Sequence, residues 1–298
     1  MSAGPPLRAP EWIRERRIRL SDLHEVKRVM RERSLHTVCE EARCPNRGEC
    51  FARGTATFLL NGDVCTRACG FCDIANGKPR PADPGEPERV ASAALRMGLK
   101  FVVLTSVNRD DLPDGGAGQF VAAIAALRRL PEPPGIEVLT PDFLGDLSAL
   151  ATVVEAGPDV FNHNVETVAR LYPRVRRGAR FDRSLSVLAE SKRLAPSLTT
   201  KSGLMVGLGE QEGEVLDVLA RLKESRVDIL TIGQYLRPSR ESLAVEEYVH
   251  PDVFERYREA GEALGFRHVF AGPFVRSSYR AEEALEQALG SGPRVPPR

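Results

Sequence analysis

The chain reads as an α/β fold, a parallel sheet curled into a partial (βα)6 TIM-type barrel. Three observations predict it. Short β-rich runs alternate with amphipathic helical stretches over most of the 298 residues, which calls for a parallel sheet. A cysteine loop follows the first strong strand, where a barrel gathers its working loops at the carboxy-terminal face. Composition allows a substantial single core, with 42% apolar residues.

In chain order, the β-branched and aromatic runs predict strands at Thr57–Asn61, Phe101–Thr105, Ile136–Thr140, Asp159–Asn162, Thr199–Val206, Ile229–Gly233 and His268–Ala271. Apolar spacing at the helical period predicts helices near 86–98, 118–130, 146–156, 183–194, 213–225 and 252–264. Lys78 to Pro87 reads as a proline-rich linker and Ser291 to Arg298 as a frayed tail. Alternation alone does not separate a barrel from a doubly wound sheet; the cysteine loop decides for the barrel.

All six cysteines fall into two triplets, Cys39-x4-Cys44-x5-Cys50 and Cys65-x3-Cys69-x2-Cys72. Three thiolates can hold a four-iron cluster and leave one iron open to another ligand. Structural zinc or disulfides are the plainer alternatives, but zinc sites usually supply four Cys or His ligands in CxxC-like pairs, which neither triplet does. A net charge of +1 provides no general attraction to nucleic acid or membrane. The start, MSAGPPLRAPEW, lacks an apolar signal region, and no stretch approaches a membrane span, so a cytoplasmic protein is expected. Clustered thiols in that reducing compartment favour metal or redox chemistry.

Other segments carry chemistry at strand ends. Ser106 to Gly116 is dense in polar groups and reads as either a solvated loop or part of the barrel mouth. Asn162-His163-Asn164-Val165-Glu166 follows the fourth strand, where one member could cap the next helix. The fifth strand carries Gly203-Leu-Met-Val-Gly207-Leu-Gly-Glu210, whose glycines allow close approach of a flat ligand. Neither a GxGxxG dinucleotide site nor a GxxxxGK[ST] phosphate loop is present.

The loop Cys65-Thr-Arg-Ala-Cys69-Gly-Phe-Cys72, with an aromatic just before its last cysteine, resembles radical S-adenosylmethionine (SAM) enzymes. The Gly203–Glu210 segment resembles their GxIxGxxE strand beside adenine, with Met205 at the Ile position. The upstream Cys39-Glu-Glu-Ala-Arg-Cys44-Pro-Asn-Arg-Gly-Glu-Cys50, Val107 to Gly116, Thr231-Ile-Gly-Gln-Tyr-Leu-Arg-Pro-Ser239 and the late Arg276-Ser277-Ser278-Tyr279 narrow this to a close resemblance to the lipoyl synthase family, from about Pro10 to Ala281.

That resemblance implies a sulfurtransferase of lipoate biosynthesis, inserting sulfur at C6 and C8 of a protein-bound octanoyl group. A 5'-deoxyadenosyl radical derived from SAM would abstract hydrogen from these unactivated carbons, with two 4Fe-4S clusters in support. Cys65, Cys69 and Cys72 would hold the SAM-binding cluster. Cys39, Cys44 and Cys50 would hold an auxiliary, sulfur-donating cluster completed by Ser278, although Ser277 and Ser278 alone would pass for a cap or turn. Phe71, Asn108, Asn164, Glu166, Gly203 and Gln234 would contact SAM.

The implied organisation is an extension over 1–52 carrying the auxiliary cysteines, a barrel over 53–265, and a segment over 266–298 folding back to the auxiliary cluster. Implied partners are an octanoylated lipoyl carrier protein or domain, a low-potential electron donor and a cluster-carrier protein that rebuilds the auxiliary cluster. Arg174, Arg176, Arg177, Arg180 and Arg183 could receive an acidic carrier or form a solvated face.

Overall fold

The structure, a computed structural model, describes residues 7–14, 23–38 and 46–290. Cys39, Cys44 and the tail from Ser291 lie outside these residues.

Ten strands are present among the described residues: β1 His36–Thr37, β2 Thr55–Leu60, β3 Val64–Cys65, β4 Ala75–Asn76, β5 Phe101–Ser106, β6 Gly135–Leu139, β7 Val160–Asn162, β8 Thr199–Val206, β9 Ile229–Gln234 and β10 His268–Gly272. Eight form one sheet in the order β1-β2-β5-β6-β7-β8-β9-β10. All neighbours pair parallel except β1, which is antiparallel to β2. The six parallel strands β2 and β5 to β9 are the expected barrel staves, and β10 adds a seventh. β10 belongs to the segment set apart at residue 266 in the sequence reading, yet it runs in register with β9 from His268 opposite Ile229 to Gly272 opposite Gly233.

Side-chain alternation explains the layers. Phe58, Leu60, Val102, Leu104, Ile136, Val138 and Phe161 share a core with Val90, Phe120, Ile124 and Leu150 of the outer helices. Leu204, Val206, Leu230 and Ile232 meet Leu188, Val215, Leu219 and Phe254 in a second core. Each such side chain contributes on the order of 2 kcal/mol through removal from water. The opposite register, including Thr57, Leu59, Thr105, Leu139, Gly203, Met205 and Thr231, faces a common cavity. That convergence is what curls the sheet around a lumen.

The helices Glu86–Arg96, Ala117–Arg128, Leu147–Glu155, Phe181–Leu194, Glu212–Glu224 and Pro251–Ala263 fall where the periodicity puts them. Glu86 and Pro87 belong to the first of these rather than to a linker, and buried Glu86 accepts the Asn61 N–H at 2.9 Å. Shorter elements escape the pattern. Arg47–Ala52 and Ala281–Ala288 are helices too, the latter seating Ala281 and Leu285 against lumen-side Phe101, Val103 and Val160.

Candidate active site

The cysteine loop is clipped at its base by the two-residue pair β3–β4, with Cys65 opposite Asn76. Cys65 Sγ accepts N–H bonds from Arg67 at 3.4 Å and Asn108 at 3.3 Å, and Cys72 Sγ accepts one from Ile74 at 3.5 Å. Such donors stabilise a thiolate ligand and orient it. Further along, the Gly70 N–H donates to Val175 O, and the Leu243 N–H donates to Gly70 O. Arg67, inside the loop, grips Asp110 through two bonds at 2.6 and 2.8 Å and Asp142 at 2.7 Å, while Arg183 reaches Asp142 at 3.1 Å. The polar segment after β5 is therefore a brace for the cysteine loop, not a solvated excursion.

Cys65, Cys69 and Cys72 line one cavity of about 520 Å³. Burial, reinforced by the neighbouring Cys72 and Cys65 thiols, pushes Cys69 up to about 12 against the pull of Arg176. Burial also pushes Cys72 up to about 11. These thiols ionise at neutral pH only when a strongly cationic group binds them and displaces their protons, as an iron cluster does. Among the described residues no three His, Cys, Asp or Glu side chains converge as ligands of a single metal ion. A four-iron cube does not need that convergence, because each thiolate takes its own corner. Asn46 Oδ1, Ser106 Oγ and Thr140 Oγ1 are buried oxygens without hydrogen-bond partners among the described residues, on three residues that line the same cavity, and suit a polar ligand there. The donor set thus fits an iron–sulfur cluster beside a polar small molecule.

Cys50 lines this cavity, together with Ser277 and Ser278 from the other end of the chain. Asn46 Nδ2 donates to Phe274 O at 2.7 Å, and Glu49 accepts from Tyr279 Oη at 3.0 Å and Arg280 Nη2 at 3.3 Å. Gly233 is required for this crossing, since a Cβ there would stand 2.1 Å from Val275 O. Cys39 and Cys44, the other members of the upstream triplet, lie outside the described residues.

Of the expected SAM contacts, Phe71, Asn108, Asn164, Glu166 and Gly203 line the cavity. Gln234 is a correction. Strand alternation takes it out of the lumen register of Thr231 and Gly233, and its carboxamide donates to Tyr235 O and Glu247 O and accepts from the Val249 N–H. Glu210 similarly closes its own turn, accepting from the Gly207 and Leu208 N–H groups and from Thr167 Oγ1.

The arginine run also needs correction. Arg176 is buried and lines the cavity, donating to Asn164 O and Ser184 Oγ, both at 2.8 Å; Arg174 and Arg183 are paired with Glu246 and Asp142. Of the five, Arg177 and Arg180 are exposed and make no side-chain hydrogen bond or ion pair among the described residues. Sequence reasoning missed Glu137 and Lys201, a fully buried ion pair at 3.0 Å. Their signal was opposite charges inside strands of a parallel sheet, where a charge needs a partner.

The sequence pattern of the Radical SAM superfamily matches residues 62–222. A curated lipoyl synthase from Caldanaerobacter subterraneus subsp. tengcongensis is 54% identical over 284 residues, covering 95% of this chain and 99% of that one. One from Rubrobacter xylanophilus is 55% identical over 281 residues, with coverage of 94% and 87%. Among solved structures, Streptococcus suis SuiB bound to S-adenosylmethionine aligns with TM-score 0.59 at 14% identity, over 85% of this chain and 60% of its own. Methylornithine synthase (PylB) aligns with TM-score 0.55 at 15% identity, over 85% and 82%. These two likenesses concern the fold.

Proposed function

The chain belongs to the lipoyl synthase family of the radical SAM superfamily, and from that premise we propose how its own residues divide the work of inserting sulfur at C6 and C8 of a protein-bound octanoyl group. The chain is a radical SAM sulfurtransferase that uses SAM and 4Fe-4S clusters. Cys65, Cys69 and Cys72 hold the cluster that binds SAM. Cys39, Cys44, Cys50 and Ser278 hold the auxiliary cluster. When bound, the first supplies the electron that splits SAM and the second supplies the sulfur.

The protein's share is positioning and shielding. Arg67 and Asn108 N–H groups hold Cys65, while Phe71, Asn164, Glu166 and Gly203 line the space for SAM. Fold-back of the carboxy-terminal segment closes the cavity on the other side, so that both ligand sets face one substrate chain. The acyl arm of an octanoylated lipoyl carrier enters this cavity; a low-potential donor and a cluster-carrier protein serve it in the cytoplasm. One observation carries the reading: Cys50 and Ser278, far apart in sequence, share a cavity with the CxxxCxxC thiols.

Anaerobic iron and sulfide analysis of the reconstituted chain, paired with two variants, tests it. Two clusters give about eight irons with matching sulfide. Cys69→Ala abolishes 5'-deoxyadenosine formation, whereas Cys44→Ala still forms it and inserts no sulfur. Tightly bound zinc without inorganic sulfide, or equal loss of SAM cleavage in both folded, half-loaded variants, defeats the assignment.

A further inference from the structure

Glu137 on β6 and Lys201 on β8 have fully buried side chains, joined at 3.0 and 3.2 Å. A buried ion pair is weak evidence for stability, because desolvation offsets much of its attraction. What it does here is fix an amide. Glu137 Oε1 accepts from Asn162 Nδ2 at 2.7 Å, and an ionised carboxylate can only accept, so the Asn162 carboxamide has one permitted orientation. Its Oδ1 has no hydrogen-bond partner among the described residues, which is the cost of that orientation.

The second Nδ2 hydrogen of Asn162 goes to Ser277 Oγ at 2.7 Å. With its acceptor role filled, the Ser277 hydroxyl donates to Asn164 Oδ1 at 3.0 Å. Polarity therefore runs one way, from the ion pair through Asn162 and Ser277 to Asn164. It pins the carboxy-terminal segment onto the end of β7, across 115 residues of sequence. Ser278, the next residue, lines the cavity and takes no part in this chain.

We propose that the Lys201–Glu137–Asn162 chain is a positioning device that anchors Ser277 so that Ser278 is presented to the auxiliary cluster, an inference that rests on Ser278 being the cluster ligand. Ser277 and Asn162 are positioning residues, acting through their hydrogen bonds to other protein groups.

The test uses the full-length chain with Ser277→Ala, Ser277→Thr and Ser278→Ala. Hydrogen exchange across residues 276–280 is followed before reconstitution, and SAM cleavage and sulfur insertion afterwards. Loss of two hydrogen bonds in Ser277→Ala should raise exchange about tenfold, keep 5'-deoxyadenosine formation and lower sulfur insertion severalfold. Ser277→Thr, which keeps the hydroxyl, should restore both. Ser278→Ala should leave exchange unchanged and abolish insertion. Unchanged exchange and insertion in Ser277→Ala overturns the positioning role even if Ser278→Ala is inactive. Full insertion by Ser278→Ala, with raised exchange in Ser277→Ala, removes the ligand assignment instead. Glu137→Gln, should it fold, gives exchange between wild type and Ser277→Ala; if it does not fold, the Ser277 pair decides.

Discussion

Glu49 and Tyr279 stand 230 residues apart in sequence and meet at 3.0 Å, the tyrosine hydroxyl donating to the carboxylate. Arg280 adds a second contact to Glu49 at 3.3 Å, and Arg53 reaches Glu283 at 3.5 Å. Cys50 and Ser278 are the immediate neighbours of that first pair, so this half-exposed junction sets how the two ends of the chain face one another.

Tyr279→Phe removes one charge-assisted hydrogen bond while Arg280 keeps its hold on Glu49. Solvent access limits the stability cost to about 1 kcal/mol. The expected phenotype is local: normal folding and SAM cleavage, with faster loss of about half the iron under a chelator. Equal, wild-type rates of iron loss from both clusters would show that the junction does not govern the auxiliary site.

A second prediction concerns the clamp on the cysteine loop. Burial alone would raise the Asp142 carboxyl, but hydrogen bonding to Arg67 and its charge bring it down to about 2. With the folded value depressed, its stabilisation is present above the ordinary carboxylate range, near 3.8, and is lost as pH falls through about 2. Asp142→Asn leaves the buried Arg67 with Asp110 alone. Removing one partner of a buried pair should cost about 3 kcal/mol, and SAM cleavage should fall before auxiliary iron does. An unchanged denaturation midpoint with normal 5'-deoxyadenosine formation would sink this account.

How much of this was legible follows from what each signal encodes. Long runs such as Phe101–Ser106 and Thr199–Val206 announce strands because both faces are buried, and the helices between them repeat at a regular period. His36–Thr37 and Val64–Cys65 are two residues each, too short to leave a period, although the second anchors the cysteine loop. Arg176 looked like its exposed neighbours because a charge run carries no record of depth. Gln234 is expected at SAM from family resemblance, but in the strand its register is opposite to that of Gly233 and its carboxamide is spent on backbone groups. That Cys50 and Ser278 line one cavity follows an expectation from family resemblance; local physics cannot bring together groups so distant in sequence. Glu137 and Lys201 are readable as charges in a buried sheet, but only the fold joins them, through Asn162, to Ser277.

Gly203 gives a third prediction. A Cβ at this position would lie 2.4 Å from Thr231 Oγ1 and 3.0 Å from Asn164 Oδ1, so two cavity-lining groups must move. Gly203→Ala should destabilise by about 1–3 kcal/mol through overpacking and raise the KM for SAM more than it lowers kcat. Adding Thr231→Ala removes the closer clash and should recover part of both effects, a coupling that a double-mutant cycle measures. Strict additivity of the two substitutions would refute the steric explanation.

The last prediction follows a proton. His163 is fully buried, with Nδ1 at 2.8 Å from Thr140 O and Nε2 at 3.0 Å from Ser184 Oγ. A carbonyl can only accept, so Nδ1 carries the hydrogen and Nε2 accepts from the serine. Burial, together with the Arg176 charge, lowers His163 to about 3 from its ordinary 6.5. Between those values the unfolded chain binds a proton that the folded chain refuses, so stability rises with pH by up to ~1.4 kcal/mol per unit and falls on acidification. The stabilisation is full above about 6.5, and from pH 7 to 5 the cluster-free chain should lose about 2 kcal/mol through this group. Urea denaturation at each pH measures it. Burial lowers His268 in the same direction, so the diagnostic is the difference between proteins. His163→Gln starts less stable, because Thr140 O and Ser184 lose a partner, yet its curve between pH 7 and 5 should be flatter by that amount. Parallel curves for the two proteins would mean that His163 is protonated in the folded chain, and that Arg176 is held in the cavity by some other arrangement than a neutral imidazole at its side.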